Sequence, residues 1–115
     1  MTGYLLKHVI DILPKLKKYN INPEVLYFNT LKPFDRNIIR RSLKKTKKLI
    51  TIEELSAHDG LHNLCLRSCF DLNVKKIKQL AVKDFIHEYG SFEDLCKTSK
   101  LDRGSIFKEI IKLIN

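Results

Sequence analysis

A chain of 115 residues with 43% hydrophobic side chains is sized for one domain and a single core, not two. No apolar run approaches the roughly 20 residues of a membrane helix. Met1-Thr2-Gly3-Tyr4 also lacks the basic stretch and apolar core of an export signal. Net charge is +9, from 22 basic and 13 acidic residues; Cys65, Cys69 and Cys96 are an odd set without CxxC spacing, which suits a reduced, cytoplasmic protein.

In chain order, Leu5, Leu6, Val9, Ile10, Leu13 and Leu16 recur at helical spacing, with Lys7, Asp11, Lys15 and Lys18 opposite. Pro14 falls inside this pattern and removes one helical hydrogen bond, so a kink or early end is expected there. Asn20-Ile21-Asn22-Pro23 reads as a turn leading to a strand at 24–29, built on Val25-Leu26-Tyr27-Phe28. Pro33 breaks that run, and Asp35 can cap a helix starting at Arg36 whose buried stripe is Ile38, Ile39 and Leu43. Leu49-Ile50-Thr51-Ile52 is a second strand, closed by Glu53-Glu54.

Gly60 opens a helix of about twelve residues marked by Leu61, Leu64, Cys65, Leu66 and Phe70. Residues 76–82 alternate as a third strand. Ser91 can cap a short helix and Asp102 a final one with Ile106, Phe107, Ile110, Ile111 and Ile114 on its inner face. The strand at 24–29, the helix from Arg36 and the strand at 49–52, spaced this closely, predict a right-handed crossover and a parallel sheet. The expected fold class is α/β: one domain over 1–115, three α/β/α layers, with a small, mostly parallel sheet of three to five strands.

Three constellations invite a chemical reading. Residues 36–48 carry Arg36, Arg40, Arg41, Lys44, Lys45, Lys47 and Lys48 without an acid, the footprint of a polyanion-binding module. No aromatics interleave, so a solvated helix face is favoured and nucleic acid is not the expected partner. His58, His62, Cys65 and Cys69 suggest zinc, but eleven helical residues span roughly 16 Å, too far for one tetrahedral centre. Packing of the cysteines as small apolar residues is favoured, and no metal ligands are assigned. Glu53 and Glu54 end a strand, where adjacent side chains point to opposite faces. One is expected in solvent and the other bonded to the following turn, so no catalytic residue is assigned. Asp59 is expected to cap the helix after Gly60.

The order of these motifs carries a resemblance. Asn29-Thr30-Leu31-Lys32-Pro33-Phe34-Asp35, Lys45-Thr46, Thr51-Ile52-Glu53-Glu54 and a glycine turn resemble the C-terminal domain of transketolase-type enzymes. Thr2-Gly3-Tyr4-Leu5-Leu6 near the start is similar to that family too, as are Asp84-Phe85-Ile86, Gly90-Ser91, Glu93-Asp94-Leu95 and Leu101-Asp102 later on. The family includes transketolase, deoxyxylulose-phosphate synthase and 2-oxo-acid dehydrogenase beta subunits. Asp59 and His62 depart from it where glycines are usual, as does Leu55 where histidine or asparagine is common.

The resemblance implies a non-catalytic C-terminal domain of an enzyme moving two-carbon ketol units between sugar phosphates, with deoxyxylulose-phosphate synthase as the alternative parent. Thiamine diphosphate and a divalent metal would be held by other domains, leaving no cofactor in this chain. The implied partners are catalytic domains or subunits, with a homo-oligomer possible. It also implies that the first, central strand is truncated at Met1. Loops at 29–35, 54–60 and 83–90 would share the carboxyl edge of the sheet. The contact candidates there are Thr30, Lys32, Asp35, Glu54, His58, Asp59, Gly60 and Asp84.

Overall fold

The computed structural model describes residues 1–56, 60–82 and 90–115. A 3-10 turn at Gly3–Leu5 leads into α1 (Leu6–Lys18), followed by α2 (Arg36–Thr46), β1 (Lys48–Ser56), α3 (Leu61–Cys69), β2 (Lys76–Val82), α4 (Phe92–Thr98) and α5 (Arg103–Ile114). The strands β1 and β2 pair in parallel, with Lys48 opposite Lys76 and Ile52 opposite Leu80; the register becomes irregular between Ile52 and Ser56. The parallel pairing of β1 and β2 across α3 keeps the α/β class. The crossover expected from a strand at 24–29 through the helix at Arg36 to 49–52 does not form, because 25–28 is not a regular strand.

Alternation along β1 sends side chains to two different cores. Ile52 joins Leu5, Val9, Ile12, Leu16, Leu80, Leu101 and Ile106 in the α1/α5 layer. Leu49 joins Ile39, Leu43, Leu61, Cys65 and Cys69 in the α2/α3 layer. Both β1 faces are therefore covered, which is why 49–52 reads as a nearly continuous apolar run.

The helix ends follow the expected caps. Asp35 accepts from the Ile38 N–H at 3.2 Å. Ser91 and Asp94 form a reciprocal capping box. Asp102 accepts from the Ser105 N–H at 3.2 Å and the Ser105 hydroxyl at 2.6 Å. Asp102→Ala is expected to cost about 1 kcal/mol, the usual worth of such a cap, read as a lowered urea midpoint with unchanged slope.

Other expectations need correction. Only two strands are present among the described residues, not three to five. Residues 25–28 form no regular strand: among the described residues their recorded backbone partner is Met1. A β-branched run becomes a strand only where a neighbouring backbone lies alongside. Of the kink or early end expected at Pro14, the early end does not occur, since α1 runs to Lys18. The proline lies on the exposed side, where water reaches the carbonyl it leaves unpaired. Ile10 is 52% exposed, while Ile12 and His8 are buried instead. The helix after Gly60 has nine residues rather than twelve, and Phe70 lies beyond it, 82% exposed. Among the described residues no helix is long and apolar enough to cross a membrane.

The basic helix α2 is partly neutralised. Arg40 holds Asp71 through two bonds of 2.6 and 3.0 Å and donates to the Ser68 carbonyl, fastening α2 to the end of α3. Lys45 pairs with Glu24 at 2.5 Å. Hydrogen bonding to Arg40 lowers the Asp71 carboxyl to about 2 from its ordinary 3.8. A carboxyl depressed on folding stabilises above its unfolded value and loses that contribution as pH falls through the folded one. The thermal-midpoint gap between the native chain and Asp71→Asn should be constant at pH 5–7 and close between about pH 4 and 2.

Candidate functional site

Two helix beginnings converge on the end of β1, and its two glutamates meet them. Glu53 is fully buried and accepts from the N–H of Leu61 at 2.8 Å and of His62 at 3.4 Å. It supplies the cap that Gly60, lacking a side chain, cannot give to α3. Glu54 turns the other way and accepts from the Tyr4 N–H at 2.6 Å, at the turn entering α1. Alternation of side chains along β1 thus serves two helices with one dipeptide.

Glycines stand opposite both carboxylates. Gly3 has φ +77°, and a Cβ there would come within 2.8 Å of the Glu54 carboxyl carbon. Gly60 has φ +156°, and its Cβ would overlap a Glu53 oxygen. In each case the missing side chain is what lets the carboxylate reach the backbone. Beside Glu53, His62 Nδ1 lies 2.7 Å from the Thr51 hydroxyl. Burial lowers the His62 imidazole from its ordinary value, partly offset by Glu53.

The expected contact residues are not gathered into one cluster. Glu54 and Gly60 belong to this edge. Thr30 and Lys32 are exposed on the preceding loop, and Asp35 is spent on capping α2. His58, Asp59 and Asp84 lie outside the described residues, as does most of the 83–90 loop. Glu53 takes the hydrogen bonds from the following turn that the sequence predicts, while half-buried Glu54, on the solvent side, also bonds the Tyr4 N–H. Gly3, Tyr4, Glu53 and His62 were not expected at this edge as contacts. Their signal was a Glu-Glu pair with isolated glycines elsewhere in the chain.

This edge has little to offer chemically. The residues present do not fit a pyrophosphate or a divalent cation, because both carboxylates are turned onto helix N-termini whose donors they occupy. Burial pushes the Cys65 thiol up to about 12, which removes it as a nucleophile near neutral pH.

The model for "Transketolase, C-terminal domain" matches residues 1–106. The chain belongs to that family. Among transketolase C-terminal domains with curated parents, it is 29% identical over 114 residues to 1-deoxy-D-xylulose-5-phosphate synthase of Clostridium tetani (strain Massachusetts / E88), covering 98% of this chain and 18% of that protein. It is 32% identical over 114 residues to the synthase of the same name from Chlamydia pneumoniae, again 98% of this chain and 18% of the relative. The chain therefore spans about a fifth of the curated relatives it matches. A solved structure described as "Split gene transketolase, inactive beta4 tetramer" superposes with a TM-score of 0.84 at 20% identity, covering 97% of this chain and 36% of that one. At that identity the likeness shows the fold.

Proposed function

We propose that this transketolase C-terminal domain is a non-catalytic part of a cytoplasmic, thiamine diphosphate-dependent enzyme of the 1-deoxy-D-xylulose-5-phosphate synthase type. It contributes packing and subunit contacts, while other domains hold the cofactor and its divalent metal. The family match over residues 1–106 carries this reading. The sequence relatives favour the synthase over transketolase itself as the parent. The self-capped glutamates favour a structural role, since an edge that satisfies its own donors and carboxylates has no acid–base pair left for chemistry. Within it, Thr30, Lys32, Asp35, Glu54, His58, Asp59, Gly60 and Asp84 remain the proposed contacts with the catalytic domains.

The test mixes this chain with a clostridial synthase lacking its own C-terminal domain. Co-elution on size exclusion and recovery of turnover are expected. Catalytic domains that work fully alone, with no co-elution, would exclude the role. The polyanion reading of 36–48 gains no second feature here, because Arg40 and Lys45 are engaged by Asp71 and Glu24.

A further inference from the structure

The two helices on one face of the sheet end where its strands begin. α2 stops at Thr46 and β1 starts at Lys48; α3 stops at Cys69 and β2 starts at Lys76. In a parallel pair both beginnings share the amino edge, opposite the edge that carries Glu53 and Glu54. Lys48 lies directly across from Lys76, about 4.8 Å away at the usual strand spacing. One residue earlier, the Lys75 N–H donates to the Lys47 carbonyl at 2.7 Å. Two successive rungs therefore set lysine against lysine.

Like charges facing each other on adjacent strands oppose the pairing. Lys47, Lys75 and Lys76 are exposed, as is Lys44 one turn before Lys47, and Lys48 is half-buried. Among the described residues no ion pair is recorded for any of the five. Asp71, Glu24 and Glu109 pair instead with Arg40, Lys45 and Lys78. The face of α2 is thus spent, and the charge left over gathers at the sheet edge. A helix C-terminus attracts cations, which accounts for Lys44 and Lys47 but not for Lys75 and Lys76, which open a strand.

The same side of the fold carries an exposed aromatic. Phe70 closes α3 and is followed by Asp71, whose carboxylate the two Arg40 bonds neutralise. No aromatic interleaves with the basic run 36–48 in sequence; folding supplies one from α3. Ammonium groups alone suit any polyanion, whereas a phenyl face set among them also stacks on an unpaired base.

We propose that the amino edge of the sheet binds single-stranded nucleic acid, with phosphates on Lys44, Lys47, Lys48, Lys75 and Lys76 and one base on Phe70. The contacts read backbone charge and a π-face, so binding is not sequence-specific. This edge shares no residue with the contacts proposed for the synthase role, so either reading can fail alone.

The probe is a fluorescein-labelled oligouridylate of about twelve nucleotides, titrated into the 115-residue chain and followed by anisotropy. Four neutralised phosphates give log affinity against log salt a slope of about −2.8, a loss of roughly fiftyfold between about 50 and 200 mM salt. Lys75→Gln with Lys76→Gln should bring the slope to about −1.4. Lys7→Gln with Lys97→Gln removes the same charge from α1 and α4 and should leave the slope unchanged. Phe70→Ala should weaken binding about tenfold at every salt concentration and keep the slope. All five side chains are exposed, so circular dichroism should be that of the native chain throughout. No binding at about 50 mM salt overturns the proposal. So does a slope that both lysine pairs lower equally, which is the work of net charge alone. An unaffected Phe70→Ala overturns it too, since the assignment to nucleic acid rests on that ring. Equal competition by polyglutamate of the same length assigns the edge to an acidic protein instead. Phosphatidylserine vesicles that the oligonucleotide fails to displace assign it to a membrane surface, and the proposal fails in either case.

Discussion

Replacing Glu53 with alanine is expected to lower stability by about 3 kcal/mol, an effect set by two donors rather than by charge. The carboxylate is fully buried, and the N–H groups of Leu61 and His62 at the start of α3 both donate to it. Removing it leaves the buried Leu61 donor and the half-buried His62 donor without their acceptor, at about 1–3 kcal/mol for a fully buried one before relaxation. The expected fall in thermal midpoint is about 12 °C for a chain of this size. Gly60→Ala should destabilise strongly for the complementary reason: its Cβ would occupy the space of a Glu53 oxygen at φ +156°. The two effects are coupled. In a double-mutant cycle, Gly60→Ala should cost less on the Glu53→Ala background, since the clash is gone and only the backbone strain remains. Equal costs on both backgrounds would show that the glycine is required for its φ angle alone.

The caps were the most legible part of this sequence. Asp35, Ser91 and Asp102 each act within three residues of themselves, so their role depends on nothing distant. The strand 49–52 was legible because an apolar run buried on both faces looks the same whatever covers it, and 76–82 because its residues alternate. The segment 25–28 was not, for the opposite reason. Its composition suits a strand, but its pairing is set by distant backbone, and its recorded backbone partner among the described residues is Met1. Pro14 does not end the helix, because the cost of the bond it removes depends on which side of the helix loses it, and that side is set by tertiary packing.

The edge of the sheet was legible only in outline. Glu53 and Glu54 could be placed at the end of a strand with side chains diverging and one of them bonded to the following turn, but the partner of Glu54 could not. Tyr4 lies 50 residues from Glu54 in sequence, and no local pattern announces that the 3-10 turn entering α1 needs an acceptor. Gly3 and Gly60 are isolated in the sequence, yet each stands against one of the adjacent carboxylates. Their meaning is a close approach, which becomes visible only when β1 is set between the two turns. Sequence spacing told which residues share an element; it did not tell which elements share a hydrogen bond.

Leu16→Ala is expected to cost about 3 kcal/mol, and Ile10→Ala less than about 0.5 kcal/mol, although both occupy apolar positions of the same helix. Leu16 is fully buried in the α1/α5 core beside Ile52 and Ile106. Deleting its side chain removes transfer energy and leaves a cavity that the parallel strands, pinned by their ladder, cannot collapse to fill. Ile10 is 52% exposed, so truncation there leaves no cavity and trades one modest helix former for a better one. Thermal melts should separate the pair by about 10 °C.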